Sequence, residues 1–161
     1  MSKLRVNEIS HKTGTGHVEM VGGQLIAPGI TVGASHWTDY TNINTTSTAY
    51  IDIYTISYTK KLTESTLYGF FDINTLREGS QEQNWIVTVD GTLVSEMRHK
   101  NSATNGWDTR NVAINWTAVN GAAPGVYTIK LRLRVVGNGY YNYPTSFGNG
   151  ASHYTIMEIA Q

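Results

Sequence analysis

Cysteine is absent from the 161 residues, which excludes disulfides and thiolate metal sites and leaves the redox compartment undetermined. An excess of charge of either sign is also missing: Lys plus Arg equals Asp plus Glu at 12 each. A chain so balanced carries no electrostatic footprint for nucleic acid or for an anionic membrane surface, so neither is expected as a partner. No stretch approaches the roughly 18 consecutive apolar residues of a membrane-spanning helix, and no apolar signal-peptide core opens the sequence. Charged residues make up 15% of the chain, below the usual quarter. So few charges on a folded domain suggest that part of its surface is covered by a partner. Ala, Leu, Glu and Lys are scarce, whereas Thr, Gly, Asn, Ser and Tyr are plentiful. That balance disfavours helices and favours strands.

The length suits one domain plus an appendage, and a domain of this size buries enough surface to fold without a staple. From Thr45 onward the hydrophobic period is two. "STAYIDIYTISYTKKL" alternates within a β-branched and aromatic run, and "TLYGFFDIN" reads as a short strand with a bend or bulge at Gly69. "NWIVTVDGTLVSEMRH" places Asp90-Gly91 between two alternating runs, a strong hairpin signal. Trp85, Val87 and Val89 share one face, with Leu93 and Val94 returning opposite. Val112, Ile114 and Trp116 follow at spacing two. In "GVYTIKLRLRVVG", Tyr127, Ile129, Leu131, Leu133 and Val135 face one way and Thr128, Lys130, Arg132 and Arg134 the other, as in a half-buried antiparallel strand. "NGYYNYPTSFGNGA" reads as an aromatic loop and "SHYTIMEIA" as a closing strand. No window holds the i, i+3, i+4, i+7 pattern of a helix. About eight strands after residue 45 predict an all-β, antiparallel, jelly-roll-like β-sandwich. Residues 30–46 read as a connector or first strand. The expected division is an extended docking arm over residues 1–35 and a sandwich head over residues 36–161.

Chemistry-bearing patterns are sparse. His17 and Glu19 would share a strand face, with Glu8 and His11 nearby, but two candidate ligands form no closed shell. His153 and Glu158 have opposite parity on the last strand, and His36 and His99 read as isolated loop residues. "KTGTGH" lacks the Gly-Lys-Ser/Thr ending of a phosphate loop. Asp52, Asp72, Asp90 and Asp108 read as strand-end and turn residues, and Lys60-Lys61 as solvated surface. The expectation is therefore no enzyme, no metal and no cofactor. Tyr140, Tyr141, Tyr143 and Phe147, set among glycines and amides, are the best candidates for stacking on a glycan or for packing against another subunit. The strip of Lys130, Arg132 and Arg134 reads as the wet face of a surface strand, with acidic groups of another subunit as the alternative.

The first 29 residues raise the question of function. They alternate briefly, break at Gly14 and Gly16, resume at Val18 and break again at Gly22-Gly23. Such a segment has nothing of its own to bury. It gains stability by adding strands to another protein's sheet edge or by winding with copies of itself. Leu4, Val6, Ile9, Val18, Leu25 and Ile26 are the candidate anchors, with Ile9 off the parity of Leu4 and Val6.

"SKLRVNEISHKTGTGHVEM" resembles the amino-terminal segment of tailed-bacteriophage virion surface proteins: capsid decoration (cement) proteins, head fibres and short tail fibres. Leu4, Val6, Ile9, Gly14, Thr15, Gly16 and Val18 fit their L-x-V-x-x-I…G-T-G-x-V run. "YTIMEIA" is similar to the last strand of trimeric fibre heads. The resemblance implies a homotrimeric virion structural protein on the capsid exterior, made in the host cytoplasm, whose partners are itself and the major capsid protein or another virion protein. An arm of this length reaches at most ~120 Å at ~3.4 Å per residue, too little for a long shaft. That favours a decoration protein that stabilises the shell. The alternative is a short tail or head fibre whose sandwich binds a host-surface glycan.

Overall fold

The computed structural model describes residues 9–10, 17–21, 24–26, 29, 31–78, 82–100, 107–137, 139–141, 144–145 and 148–161. Fifteen strands and no helix occur among them. In chain order they are β1 (Ile9–Ser10), β2 (His17–Val21), β3 (Gln24–Ile26), β4 (Thr31–Asp39), β5 (Ile43–Thr45), β6 (Ile51–Lys60), β7 (Ser65–Glu78), β8 (Glu82–Val89), β9 (Thr92–Lys100), β10 (Trp107–Ala118), β11 (Gly125–Val136), β12 (Gly139–Tyr141), β13 (Pro144–Thr145), β14 (Gly148–Asn149) and β15 (Ser152–Ala160).

Two antiparallel sheets form a sandwich. In the first, β15 and β12 follow one another along one edge of β7 and β10 pairs with the other edge, while β4 and β5 lie outside β15 and β12. The second sheet has the order β6-β11-β8-β9. Among the described residues, eight strands run eight residues or longer: β4, β6 to β11 and β15. Counted from first to eighth, they fall in the orders 1-8-3-6 and 2-7-4-5, the double-sheet jelly-roll arrangement. The expected jelly-roll-like sandwich is therefore the observed fold.

The core lies between the sheets because the alternation places it there. Ile129, Leu131, Leu133 and Val135 of β11 are buried, as are Trp85, Val87 and Val89 of β8. Facing them are Leu67, Phe71 and Ile73 of β7, Val112, Ile114 and Trp116 of β10, and Tyr154 and Ile156 of β15. Phe71 meets Tyr154 edge-on at 5.1 Å between ring centroids, and Tyr54 of β6 stacks on Tyr154 at 4.5 Å, geometries that aromatic quadrupoles favour. Asp90 (φ 47) and Gly91 (φ 82) form the two-residue turn between β8 and β9, the left-handed pair that matches the strand twist. A bulge between Val87 and Thr88 lets Val94 pack on the core and leaves Leu93 exposed.

Three expectations are corrected. Gly69 marks no bend: β7 pairs without interruption through it, opposite Trp116 on one side and Ile156 on the other. Its role is space, since a Cβ there would lie 1.9 Å from Trp116 Cε2. Lys60 is not solvated surface but 1% exposed. Asp72 lies in the middle of β7 instead of at a strand end or turn, whereas Asp52 and Asp108, each the second residue of its strand (β6 and β10), do sit at strand ends.

Candidate functional site

The N-terminal segment is the first candidate. Its described residues form a small antiparallel meander of order β1-β2-β3, with Ile9 opposite Val18 and Met20 opposite Leu25. The segment therefore pairs with itself instead of running fully extended. None of these three strands pairs with a strand of the sandwich among the described residues. Ile9, Val18, Leu25 and Ile26 lie in this meander; Leu4 and Val6 lie outside the described residues. The sandwich begins at Thr31, where β4 joins β15, within the span 1–35 assigned to the arm. The junction is pinned at Gly29, whose amide donates to the carbonyl of Ala160 at 2.8 Å.

Tyr140 and Tyr141, expected in a loop, lie on β12, hydrogen-bonded between β5 and β7. Tyr143 and Phe147 lie outside the described residues. Exposed apolar surface occurs instead on the outer face of the first sheet. There Tyr68, Phe70, Asn115, Thr117 and Met157 line a depression of about 450 Å³ that also reaches Trp116 and, on β9 of the second sheet, Val94, and Phe70 is 40% exposed. Beside it, His36 and His153 stack at 5.7 Å. His36 Nδ1 lies 3.0 Å from Thr155 Oγ1, and His153 Nδ1 lies 3.2 Å from Thr38 Oγ1. His36 is thus a strand residue on β4, and His99 one on β9, where loops were expected. His153 and Glu158 do point to opposite faces, Glu158 being buried.

The basic strip of β11 is largely answered within the chain. Asp52 accepts from Lys130 Nζ at 2.6 Å and from Arg132 Nε at 2.8 Å. The Lys130 hydrogen bond, reinforced by Arg132, holds the Asp52 carboxyl below the usual aspartate range, against an opposing push from burial. Arg134 lies over the Tyr50 ring, 4.9 Å from its centroid. No group of three or more His, Cys, Asp or Glu placed to share a metal occurs among the described residues. No described helix is long and apolar enough to cross a membrane.

Between the edge strands β4 and β6 lies a groove of about 310 Å³, lined by Gly33, Ser35 and Trp37 on one side and Ser57, Tyr58 and Thr59 on the other. A Cβ at Gly33 would meet the Tyr58 hydroxyl at 2.9 Å, so the glycine lets the two sheets approach here. Burial, and then the Glu158 carboxylate, push the Tyr58 hydroxyl up to about 12. Composition gave no signal for this groove; it exists because β4 and β6 are outermost in their sheets.

No family profile and no curated protein matches this chain. Among solved structures, it is similar to the VP2 subviral particle of infectious bursal disease virus. Identity is 12% and the TM-score 0.50, over 95% of this chain and 37% of the other. T=1 particles derived from infectious bursal virus match at 11% identity and a TM-score of 0.49, over 95% of this chain and 45% of the other. The chain spans less than half the length of each. At such identity the likeness is one of fold.

Proposed function

We propose that this protein is a structural, non-catalytic component of a virus particle: a bacteriophage capsid decoration protein, homotrimeric on the capsid exterior, that docks through its N-terminal segment and stabilises the shell. The observation that carries this reading is a jelly-roll sandwich, a fold used by viral capsid domains, joined to an N-terminal unit whose strands, among the described residues, pair only with each other. The tailed-phage resemblance of residues 2–20 supports the same reading. A protein that binds the assembled shell and not its free subunits stabilises it by mass action, about 2.7 kcal/mol per site at 100 times the dissociation constant. The test is particle assembly with a chain lacking residues 2–27. The truncated sandwich should remain folded and fail to join the particle, and particles without the protein should release their genome at lower temperature. Normal incorporation of the truncated chain, or coincident heat-release curves, overturns the proposal.

The depression at Tyr68, Phe70 and Met157 favours a second reading, a short tail or head fibre that binds a host-surface glycan. Copy number per particle separates the two, hundreds for decoration and tens or fewer for a fibre. In the fibre case, loss of the protein abolishes adsorption to host cells and leaves the heat-release curve unmoved.

A further inference from the structure

The two lateral sides of the sandwich differ. On one side, β9 and β10 are tied across the sheets, Ser95 Oγ donating to the Asn115 carbonyl at 3.1 Å. On the other, β4 and β6 are each outermost in their sheet and flank the open groove. An edge strand presents a row of backbone donors and acceptors, and proteins blunt such edges with charges, proline, bulges or a covering element. The middle of β4, Ala34–Thr38, contains no Lys, Arg, Asp, Glu or Pro, and its one register shift lies before Ala34. The groove beside it has the aromatic rings of Trp37 and Tyr58 with Gly33, Ser35, Ser57 and Thr59 around them; its one charged lining residue, Lys61, lies at the Gly33 end, ahead of Ala34. Small residues beside rings leave room for another backbone to approach.

The chain itself carries a strand in need of a neighbour. β3 is the outer strand of the N-terminal meander and pairs only with β2 among the described residues. It is separated from β4 by residues 27–30 alone, a link short enough for a hairpin, yet β3 and β4 of one chain are not paired. Among the described residues, the two outer strands that flank the junction at Gly29 and Ala160, β3 of the meander and β4 of the sandwich, therefore each keep one edge unpaired.

We propose that β3 of one copy adds to the free edge of β4 in a second copy, covering the β4–β6 groove and continuing the first sheet into the neighbour's meander. The contact is heterologous, with different surfaces on the two partners, and repetition around a rotation axis closes it into a ring. It uses the last strand of the N-terminal segment and leaves Leu4 and Val6 for another partner. It does not depend on the virion reading, because it is tested on the isolated protein.

The absence of cysteine makes the test direct. Full-length Leu25→Cys, carrying a size tag, is mixed with full-length Ala34→Cys and oxidised, with neighbouring positions 24, 26, 35 and 36 scanned in the same way. A disulfide between tagged and untagged chains at one or more of these pairs is the expected result. The Leu25→Cys/Ala34→Cys double variant should likewise cross-link between chains. A cross-link only within single chains, or none at any pair, overturns the proposal. A second measurement needs no variant: amide exchange at Ala34–Thr38 of the full chain across a dilution series. Exchange should quicken by about tenfold or more as copies dissociate. Exchange independent of concentration overturns the proposal.

Discussion

Lys60 and Glu158 hold one turn by its two opposite polarities. The Lys60 ammonium donates to the carbonyls of Leu62, Thr63 (3.0 Å) and Ala122 (2.7 Å). The Glu158 carboxylate accepts from the amides of Lys61 (2.9 and 3.0 Å) and Leu62 (2.8 Å) and from Ser65 Oγ (2.7 Å). The two side chains are 1% and 0% exposed. Burial pushes the Lys60 ammonium below the usual lysine range, and Glu158 partly restores it. Each charge neutralises part of the turn's backbone, which joins β6 to β7 and so links the two sheets.

Removing either charge should therefore strand backbone groups away from water. Glu158→Gln is expected to cost about 3 kcal/mol, the scale for breaking a buried charged arrangement. Lys60→Met should cost about 1–3 kcal/mol, chiefly at the Ala122 carbonyl, because the carbonyls of Leu62 and Thr63 also accept from the Ser65 hydroxyl and amide. Urea unfolding measures both. The double variant should lose less than the sum of the two single losses, because the groups share one turn. Additive losses would show that the residues act separately.

Gly69→Ala should destabilise the sandwich although alanine suits a strand interior better than glycine does. The added methyl enters the space of the Trp116 ring, and overpacking of this kind costs about 1–3 kcal/mol. Pairing it with Trp116→Leu should recover part of that loss. Thermal unfolding of the single and double variants checks this, and an unchanged Gly69→Ala midpoint would contradict it.

Asp52 predicts the form of an acid limb. Its folded-state pKa is lowered, chiefly by the Lys130 hydrogen bond. Its contribution is thus present above the ordinary aspartate value of about 3.9 and is lost as pH falls through the lowered value. The site is partly open, with Asp52 39% and Lys130 38% exposed at the side chain, so the contribution should be only about 0.5–1 kcal/mol. Asp52→Asn should lower stability by that amount at pH 7 and converge with the wild type at low pH. Denaturant midpoints across pH 2–7 provide the comparison.

The hairpin turn is a fourth test. Asp90 Oδ1 accepts from the Thr128 amide at 2.8 Å, and the Asp90 amide donates to the Thr128 carbonyl at 2.9 Å. The turn is thus fastened to β11 as well as closing β8–β9. Gly91→Ala, at φ 82, should cost about 1 kcal/mol through left-handed strain. Asp90→Asn should cost less, because asparagine tolerates the same conformation and keeps an acceptor. Chemical denaturation ranks the two, and the reverse order would contradict this account.

Local signals carried much of the fold into the sequence. The strict alternation of β11 gave its buried face because each residue's side is fixed by parity alone. Asp90-Gly91 gave its hairpin because the turn type demands left-handed residues. What stayed hidden depends on partners distant in the chain. Gly69 is explained by Trp116 on another strand, and Lys60 by the carbonyl of Ala122 in a different loop. His36 and His153 meet only because β4 lies beside β15. The outer strand β4 carries few bulky apolar residues, so its polar sequence read as either a connector or a first strand, and only the pairing with β15 decides for the strand. The groove was illegible for the same reason: it is a property of which strands are outermost, and no single stretch encodes that.

The place of β15 has a consequence for how the protein is made. It lies between β4 and β7 in the first sheet, pairing Ser152 with Asp39 and His153 with Asp72. Of the described strands it is also the last to leave the ribosome. Among the described strands, β4 therefore has no in-sheet neighbour until translation has passed through Ala160, and the loop that must close to seat it spans nearly the whole domain. Contacts of such sequence separation slow folding. During that interval an exposed, almost uncharged β4 emerges beside identical nascent chains on the same message, where pairing between copies competes with completion of each fold.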